Sequence, residues 1–401
     1  MKLYKKHVSD LGKVITGKTP RTSILENYGG KIPFLTPSDN LSEKFSPTTS
    51  KTLTKIGLNE VKNCLLPSKS ICVSCIGSDL GKVVLTKKPT VTNQQFNSIV
   101  PNEENDADFI YYLMTVVGKH LNYLSKTSTA VPIINKSTFA NYEIEIPNIK
   151  EQKRIGEILS SLDDKIELNR RINDNLEQQA QVLFKSWFVD FEPFKKGKFI
   201  DSELGMIPEG WQVEELGNIT NSITEKVGKR TDVKVLSPVN TGDLLLSEEY
   251  FTKQVYSKTL AKYIMVAPND FAYNPARINI GSIGMNTFDF SGCVSPVYVV
   301  FRCEKEYHHF FNIFKATKNF KEEVNTRAIG GVRQTLSYKD FSLIKIVYPP
   351  KEAVERFNKI YSHIMTLIKK NVLENKRLHQ TRDTLLPKLM SGELKINDIN
   401  N

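Results

Sequence analysis

The chain has 401 residues, of which 40% are hydrophobic and 9% aromatic, so it is predicted to be a folded globular protein of two or three domains. Lys and Arg total 55 against 44 for Asp and Glu, which gives a formal net charge of +11. A basic surplus favours a polyanionic partner because phosphates attract Lys and Arg at long range, and a basic protein without such a partner is the simpler alternative.

The N-terminal sequence and the cysteines indicate where in the cell the protein is expected. The chain begins MKLYKKHVSDLGK, which lacks the apolar core of a secretory signal peptide. No run in the sequence approaches the roughly 18 consecutive apolar residues that span a bilayer. The five cysteines are sparse and odd in number, which is typical of a reducing environment. We therefore expect a cytoplasmic protein with no membrane partner.

Residues 1–150 are predicted to form a first globular domain of mixed helix and strand. Short runs rich in β-branched residues, at 70–77, 82–86 and 96–100, are separated by clusters of Gly, Pro and Asn. Residues 106–125 have the apolar pattern of one helix. The segment therefore combines strands and a helix in a single globular part.

A long helix is predicted next, in the segment 151–192. Its apolar residues recur near a 3.5-residue period, which is typical of a helix that packs along one side against another helix. Pro147 lies just before the helix, and Pro193 cannot continue it. The periodic apolar residues are Ile155, Ile158, Leu162, Ile166, Ile172, Leu176, Leu183 and Trp187.

Residues 193–348 show the same mixture of strand and helix patterns as residues 1–150, and they are predicted to form a second globular domain. Strands are expected at 262–268 and 295–302, and a helix at 307–324. The order along the chain is therefore globular, helix, globular, and then a second helix.

The last segment, 349–401, holds the second predicted long helix. The helix is expected from Glu352 to about Leu386, where Pro387 and Gly392 should stop it. A helix of this kind is not stable in water by propensity alone, so its apolar side needs a partner. The first long helix is the obvious partner.

The second half of the chain repeats part of the first after a shift of 202 residues. Between 139 and 183, twelve of 45 positions match the residue 202 further along, where chance gives about three. The matching residues in the first copy are Phe139, Ile144, Pro147, Arg154, Ile158, Ser160, Ile166, Asn169, Asn173, Leu176, Gln178 and Leu183. A duplicated unit implies two similar binding surfaces.

The duplicated helices are predicted to pack antiparallel, which brings Asn169 close to Asn371. We expect these asparagines to hydrogen-bond across the seam and to fix its register, as a single polar seam residue can do. The alternative is that both are solvated. The expected pairing residues are Leu162, Asn169, Leu176, Ile364, Asn371 and Leu378.

The sequence contains only fragments of catalytic motifs, and none predicts a catalytic or metal site. The loop at 77–83 is one residue too short for a P-loop and has Val83 where a Ser or Thr would hold magnesium. Cys72 and Cys75 form a CxxC without the second pair that zinc requires. The spacing of Glu151 and Lys153 resembles that of a nuclease motif. Both residues lie at a predicted helix start, however, where the negative charge of Glu151 would interact favourably with the helix dipole.

Polar loops of both globular segments are the candidate DNA-binding residues. Arg matches the edge of guanine with two hydrogen bonds, Asn and Gln match adenine, and Lys, Ser and Thr bind phosphates. Ordinary solvated loops are the alternative. The candidates are Lys18, Arg21, Ser38, Asn40, Asn93, Gln94, Gln95 and Lys126 in the first globular segment, and Lys226, Arg230, Asn274, Arg277, Asn279, Arg327, Arg333 and Gln334 in the second, 193–348.

The repeated pieces resemble the DNA-specificity subunit of type I restriction-modification enzymes. Similar motifs are Leu11-Gly12 and Leu216-Gly217 at the start of the two globular parts, the run LGMIPEGW at 204–211, the central stretch from Pro147 to Phe191, and LLPKLMSGEL at 385–394. The resemblance covers essentially the whole chain. One departure is that the second helix has Ala353-Val354 where the first has Glu151-Gln152.

The resemblance implies an α+β fold with two pseudo-repeated target-recognition domains separated by two long antiparallel coiled-coil helices. Each domain would hold one half of a split, asymmetric double-stranded DNA site. The helices would space the domains and dock two methyltransferase subunits, which translocase/nuclease subunits would join. The chain itself would be non-catalytic and carry no cofactor, with S-adenosylmethionine, ATP and magnesium on the partner subunits.

The aromatic run Phe184, Trp187, Phe188 and Phe191 exceeds what a two-helix seam can bury, so we expect it to be a partner-docking patch, with packing inside a domain as the alternative. Two other functions stay open for the whole chain. One is a DNA-independent coiled-coil scaffold, and the other is an endonuclease with an unrecognised site.

Overall fold

The computed structural model of the chain describes residues 1–45, 48–125, 133–251, 253–328 and 335–394. It has two compact units. Unit 1 comprises Met1–Arg171 and Asn371–Asn401, and unit 2 comprises Ile172–Lys370. The chain therefore leaves unit 1 through one long helix and returns to it through the other.

The described residues of unit 1 form nine strands and three shorter α-helices, followed by a long helix that continues into unit 2. The strands are β1 (Tyr4–His7), β2 (Gly12–Thr16), β3 (Tyr28–Leu35), β4 (Lys51–Leu53), β5 (Ile71–Ser74), β6 (Val83–Leu85), β7 (Val91–Thr92), β8 (Phe96–Pro101) and β9 (Glu143–Ile146). The helices are α1 (Lys55–Glu60), α2 (Ala107–Ser125), α3 (Lys136–Ala140) and the long α4 (Ile149–Phe188).

In unit 2, the part of the chain that the structure describes forms twelve strands and five shorter α-helices before the second long helix. The strands are β10 (Phe199–Ile200), β11 (Ile207–Pro208), β12 (Gln212–Glu215), β13 (Thr220–Ile223), β14 (Leu236–Pro238), β15 (Leu244–Leu246), β16 (Ile264–Val266), β17 (Phe271–Tyr273), β18 (Ile283–Met285), β19 (Gly292–Val294), β20 (Val299–Cys303) and β21 (Lys345–Tyr348). The helices are α5 (Leu216–Ile219), α6 (Ser247–Tyr250), α7 (His308–Phe314), α8 (Lys318–Arg327), α9 (Tyr338–Ser342) and the long α10 (Lys351–Ser391).

The two units repeat one sheet topology. Unit 1 has a four-stranded antiparallel sheet in the order β2-β8-β5-β6, and unit 2 has the order β13-β20-β17-β18. The central pairs correspond, since Ile71 faces Ile99 in one sheet and Phe271 faces Phe301 in the other. The flanking pair β1–β9 corresponds in the same way to β12–β21. The duplication predicted from the sequence is therefore present in the fold, and the α+β class is confirmed.

The long helices pack in opposite directions within each unit. In unit 1, Asp163 of α4 contacts Arg382 of α10, and Asn169 contacts Asn375, so the partner number falls as the α4 number rises. In unit 2, Phe188 near the end of α4 contacts Phe357 near the start of α10. The predicted antiparallel pairing is confirmed. Each unit thus joins one globular part to parts of both helices.

Local capping and packing explain where these helices begin and end. The Asn148 side chain accepts a hydrogen bond from the backbone N–H of Glu151 at 3.1 Å and donates one to its carboxylate at 2.9 Å, which caps α4. The prediction that Pro387 stops the second helix is wrong, because α10 continues to Ser391. Burial of Leu386 and Leu389 in unit 1, about 1.5–3 kcal/mol each, offsets the cost of about 3 kcal/mol of an interior proline.

Among the helices of the described part of the chain, none is both long enough and apolar enough to cross a bilayer.

Candidate nucleic-acid interface

One end of the unit 1 sheet brings together two of the predicted polar loops. The loop after β2 and the loop before β8 are joined by hydrogen bonds from Gly17 N–H to the Phe96 carbonyl at 3.0 Å and from Lys18 N–H to the Thr92 carbonyl at 2.9 Å. The Thr19 hydroxyl donates to the Gln94 side chain at 2.7 Å. A Cβ on Gly17 would lie 2.1 Å from the Asn93 carbonyl oxygen, so only glycine permits this approach.

A third predicted loop, at 36–40, lies beside the same end. Asn93 N–H donates to the carbonyl of Leu35, the last residue of β3, at 3.1 Å. Buried Asp39 holds the loop by accepting from Thr36 N–H at 2.7 Å and Ser50 N–H at 2.6 Å. Three segments that are distant in sequence therefore present their polar residues at one edge.

The candidates on this edge differ in accessibility. Lys18, Ser38, Asn40 and Gln94 are exposed, and Gln95 is half-buried. Asn93 is buried, and its amide donates to the Gln95 side chain at 2.9 Å, so it supports the loop instead of facing solvent.

Lys136 is a further basic residue here that the sequence reasoning missed. Burial raises the pKa of the Cys64 thiol, and the positive charges of Lys18 and Lys136 oppose that rise, so both lysines lie near the same thiol. Lys136 opens α3 beside Asn135, which caps the helix by accepting from Thr138 N–H at 2.9 Å. Both Lys18 and Lys136 are exposed. An Asn-Lys pair at a helix start was the available sequence signal.

In unit 2, the corresponding sheet end collects residues from three loops. Lys226 pairs with Ile264, which in turn pairs with Val294 at the end of β19. Burial raises the pKa of the Tyr298 phenol, and the charge of Arg277 and a hydrogen bond with Asn274 oppose that rise. Arg277 N–H donates to the Asn274 carbonyl at 2.9 Å in the turn after β17, and Tyr298 precedes β20, whose Val299 pairs with Tyr273 of β17, so the three residues lie at the same sheet end. Tyr298 was not among the predicted residues.

Three of the predicted arginines are engaged in ion pairs. Arg21 contacts Glu60 with its Nε at 3.1 Å, Arg230 contacts Glu225 at 2.5 Å, and Arg327 contacts Glu323 at 3.0 Å. A paired guanidinium has fewer free N–H groups for a guanine edge, since the carboxylate already occupies part of its fork. These three are weaker candidates than Lys18 or Arg277.

The remaining DNA-binding candidates are placed as follows. Asn279 is half-buried in the turn that follows Arg277. Lys126, Arg333 and Gln334 lie outside the described residues.

The helix seam contains a buried asparagine with partners other than the predicted one. Asn169 has no exposed surface, and its amide donates to Glu374 Oε2 and Asn375 Oδ1, both at 2.8 Å. These bonds use both of its N–H groups, so Asn375 takes the position predicted for Asn371. The difference is one helical turn, which a 3.5-residue pattern alone does not resolve.

The apolar pairing residues divide between the units. Leu176 packs against the core of unit 2, which contains Ile364. Leu162 and Leu378 are half-buried in unit 1.

We expect Asn169→Leu to lower the free energy of unfolding by about 1–3 kcal/mol, because it removes both hydrogen bonds that the buried Asn169 amide donates to Glu374 and Asn375. Urea denaturation followed by circular dichroism measures the change. Asn325→Leu, on the exposed side of α8, is the control and should change stability by less than about 0.5 kcal/mol. An unchanged urea midpoint for Asn169→Leu would contradict a stabilising role of Asn169 in the helix seam.

The aromatic run at the end of α4 belongs to the core of unit 2 and is not a free docking patch. Phe184 and Phe188 are buried, and Trp187 and Phe191 pack against the same core. Phe188 meets Phe310 and Phe357, with ring centroids 5.0 Å apart in each case. The structure corrects the docking interpretation, because side chains of the second globular part and of α10 both cover these rings.

No three His, Cys, Asp or Glu side chains come close enough to hold a metal ion in the part of the chain that the structure describes.

Comparison with known proteins points to one family. Residues 2–178 match the family model described as type I restriction modification DNA specificity domain. Over 98% of its length the chain is 29% identical to the type I restriction enzyme MjaIX specificity subunit of Methanocaldococcus jannaschii, covering 94% of that protein. A stretch of 176 aligned residues, 42% of this chain and 38% of the relative, is 38% identical to the HindI specificity subunit of Haemophilus influenzae.

A solved structure agrees in fold. The S subunit of the type I restriction-modification system from M. genitalium superposes with a TM-score of 0.58 and 16% identity, covering 97% of this chain and 96% of that one.

Proposed function

We propose that the chain is a specificity subunit of a type I restriction-modification system and that it reads the two halves of a bipartite, asymmetric DNA site, one half with each unit. The observation that carries this proposal is the duplicated sheet end. Loops at one end of the unit 1 sheet present Lys18 and Gln94, and a loop at the same end of the unit 2 sheet carries Asn274 and Arg277. Two similar polar edges suit two separate stretches of duplex.

In this proposal the chain selects the DNA sequence, and its partner subunits catalyse the reactions. Methyl transfer to a base in duplex DNA requires the base to be flipped into an enclosed pocket, and the sequence contains only fragments of catalytic motifs. We therefore assign catalysis to two methyltransferase subunits and to translocase/nuclease subunits. S-adenosylmethionine, ATP and magnesium would bind to those subunits. All five cysteines are free, which suits a cytoplasmic complex.

A binding selection tests this function. The full chain is incubated with random-sequence duplexes, and the selected pool is sequenced. We expect one preferred motif made of two separated halves. The alternative functions predict other results, since a DNA-independent scaffold would select nothing, and an endonuclease would cleave the duplex when magnesium is added.

A salt titration on the selected duplex tests the unit 1 edge. Lys18→Ala is expected to reduce affinity for all duplexes and to lower the slope of log affinity against log salt by about one, as loss of one phosphate contact should. Arg21→Ala is the matched comparison. Since Glu60 already balances the charge of Arg21, its slope should change by less. Equal slopes for wild type and Lys18→Ala would exclude Lys18 from the interface.

A further inference from the structure

A buried lysine in unit 1 holds the first globular part to α4. The Lys44 side chain is 3% exposed, and its ammonium contacts Asp108 Oδ1 of α2 at 2.7 Å. It donates to the Ser160 hydroxyl of α4 at 2.7 Å. It also lies 5.6 and 5.0 Å from the ring centroids of Tyr111 and Tyr112. Charged side chains are rarely buried unless they are paired, so this lysine is fixed by its partners.

A second set of contacts continues from α2 to both long helices. The Tyr112 hydroxyl donates to Asp163 Oδ2 of α4 at 2.5 Å. Arg382 of α10 donates to the other oxygen of the same carboxylate at 2.6 Å. The Lys44 ammonium lies 3.5 Å from the Tyr112 hydroxyl, which connects the two sets. We call Lys44, Asp108, Tyr112, Ser160, Asp163 and Arg382 the anchor network.

The surroundings of Asp108, Tyr112 and Arg382 favour the protonation states that their hydrogen bonds require. Burial disfavours the charged form of Asp108, but Lys44 and Lys69 outweigh it and lower the pKa of that carboxyl. Burial and the Asp163 charge raise the pKa of Tyr112, so its hydroxyl stays a donor. Burial alone would lower the pKa of Arg382, but the neighbouring carboxylates of Asp163 and Asp383 raise it. These three groups therefore keep their hydrogen-bonding roles at neutral pH.

Peripheral ion pairs add to the same attachment. Lys87, which follows β6, contacts Glu167 of α4 at 3.0 Å, and Glu43 pairs with Arg170 of α4. The globular part of unit 1 is therefore tied to α4 at four successive turns, through Ser160, Asp163, Glu167 and Arg170.

Unit 2 attaches its globular part to α4 in a different way, whereas on α10 Lys351 and Asn358 donate hydrogen bonds to Glu306 at 2.8 and 2.7 Å. There, Phe310 of α7 packs against Phe184 and Phe188 of α4, with centroids 5.3 and 5.0 Å apart. Apolar burial is largely non-directional, whereas charge-assisted hydrogen bonds hold a defined geometry. The two copies of the repeat have therefore diverged at this attachment.

We propose that the anchor network is a positioning element that sets the angle of the first globular part on α4 and α10, and with it the spacing between half-sites that the chain accepts. This inference rests on the proposed function. One base pair more between the half-sites moves the second half by about 3.4 Å and rotates it by roughly 35°. A rigid attachment rejects that displacement, and a loosened attachment tolerates it.

Arg382→Met tests the proposal, because it removes the α10 end of the network while Tyr112 still donates to Asp163. Arg377→Met is the matched control, since it makes the same change at an exposed position of α10. Arg382→Lys keeps the charge without the fixed fork of the guanidinium. The full chain is titrated with three duplexes: the selected site, the same site with one extra spacer base pair, and the half-site read by unit 1 alone.

We expect wild type and Arg377→Met to prefer the native spacer by about tenfold or more, which corresponds to a penalty of about 1.4 kcal/mol for the extra base pair. For Arg382→Met this preference should fall to about threefold or less. Its affinity for the unit 1 half-site should stay within about twofold of wild type. Arg382→Lys should retain more of the spacer preference than Arg382→Met.

Three results would overturn the inference. The first is an Arg382→Met variant with the spacer preference of wild type. The second is equal weakening of all three duplexes together with a lower Tm, because that pattern indicates support of the fold and no positioning role. The third is a wild-type chain that shows no bipartite preference, which would reject the proposed function as well. The wild-type control therefore separates failure of the function from failure of the inference.

Discussion

Phe357→Ala is expected to lower the free energy of unfolding of unit 2 by about 3–5 kcal/mol, the range for truncation of a large buried aromatic side chain. Phe357 has no exposed surface and joins α10 to the end of α4. Its ring centroid lies 5.0 Å from that of Phe188 and 6.1 Å from those of Phe184 and Trp187. Because Phe357 lies on α10, its truncation would remove the ring contacts between α10 and α4 and leave a cavity where the two long helices meet.

Tryptophan fluorescence during denaturation measures the free energy of unfolding of unit 2 specifically. The chain has two tryptophans, Trp187 and Trp211, and both belong to unit 2. Val182→Ala is the control because Val182 is 68% exposed on the same helix, so its change should stay below about 0.5 kcal/mol. A loss under about 1 kcal/mol for Phe357→Ala would mean that the aromatic cluster does not hold unit 2 together.

Exchange of residues 1–150 for those of a relative is expected to replace one half of the recognised DNA motif and to leave the other half unchanged. The candidate DNA-binding residues of unit 1 that the structure describes all lie in this segment. Those of unit 2 lie in 193–348, so the reciprocal exchange should change the other half. Mapping of methylated adenines in cells that also express the methyltransferase subunits gives the readout.

The exchange must preserve the attachment to the helices. The replaced segment contains Lys44, Asp108 and Tyr112, whose partners Ser160 and Asp163 remain in the host chain. The donor segment should therefore carry these three residues. A chimera with both halves of the motif altered would contradict recognition by separate units.

Sequence reasoning succeeded where the signal was local or repeated. The 3.5-residue apolar period identified both long helices, because a helix that buries one side must repeat its apolar residues at that interval. The shift of 202 residues predicted a duplicated unit, and the fold contains two copies of one sheet topology. Clusters of Gly, Asn and Pro marked the loops, and several of these loops converge at a sheet end in each unit.

The aromatic run and the arginines show where sequence reasoning failed. Phe184 and Phe188 have the pattern of an exposed patch when α4 is considered alone, but rings from α7 and α10 cover them. Arg21 and Arg230 are basic loop residues in the sequence, yet each meets a carboxylate in the fold. Exposure and pairing depend on neighbours that the linear pattern does not specify.

The amino-acid sequence by itself determined the α+β class, the duplication and the two long helices, because periodicity and repeats are properties of the chain order. Only the tertiary structure decided which polar loops meet, that Asn375 and not Asn371 receives the Asn169 bond, and that buried Lys44 is tied to α4. The reason is physical: hydrogen bonds and ion pairs act over a few ångströms, and such distances between remote residues are set by packing.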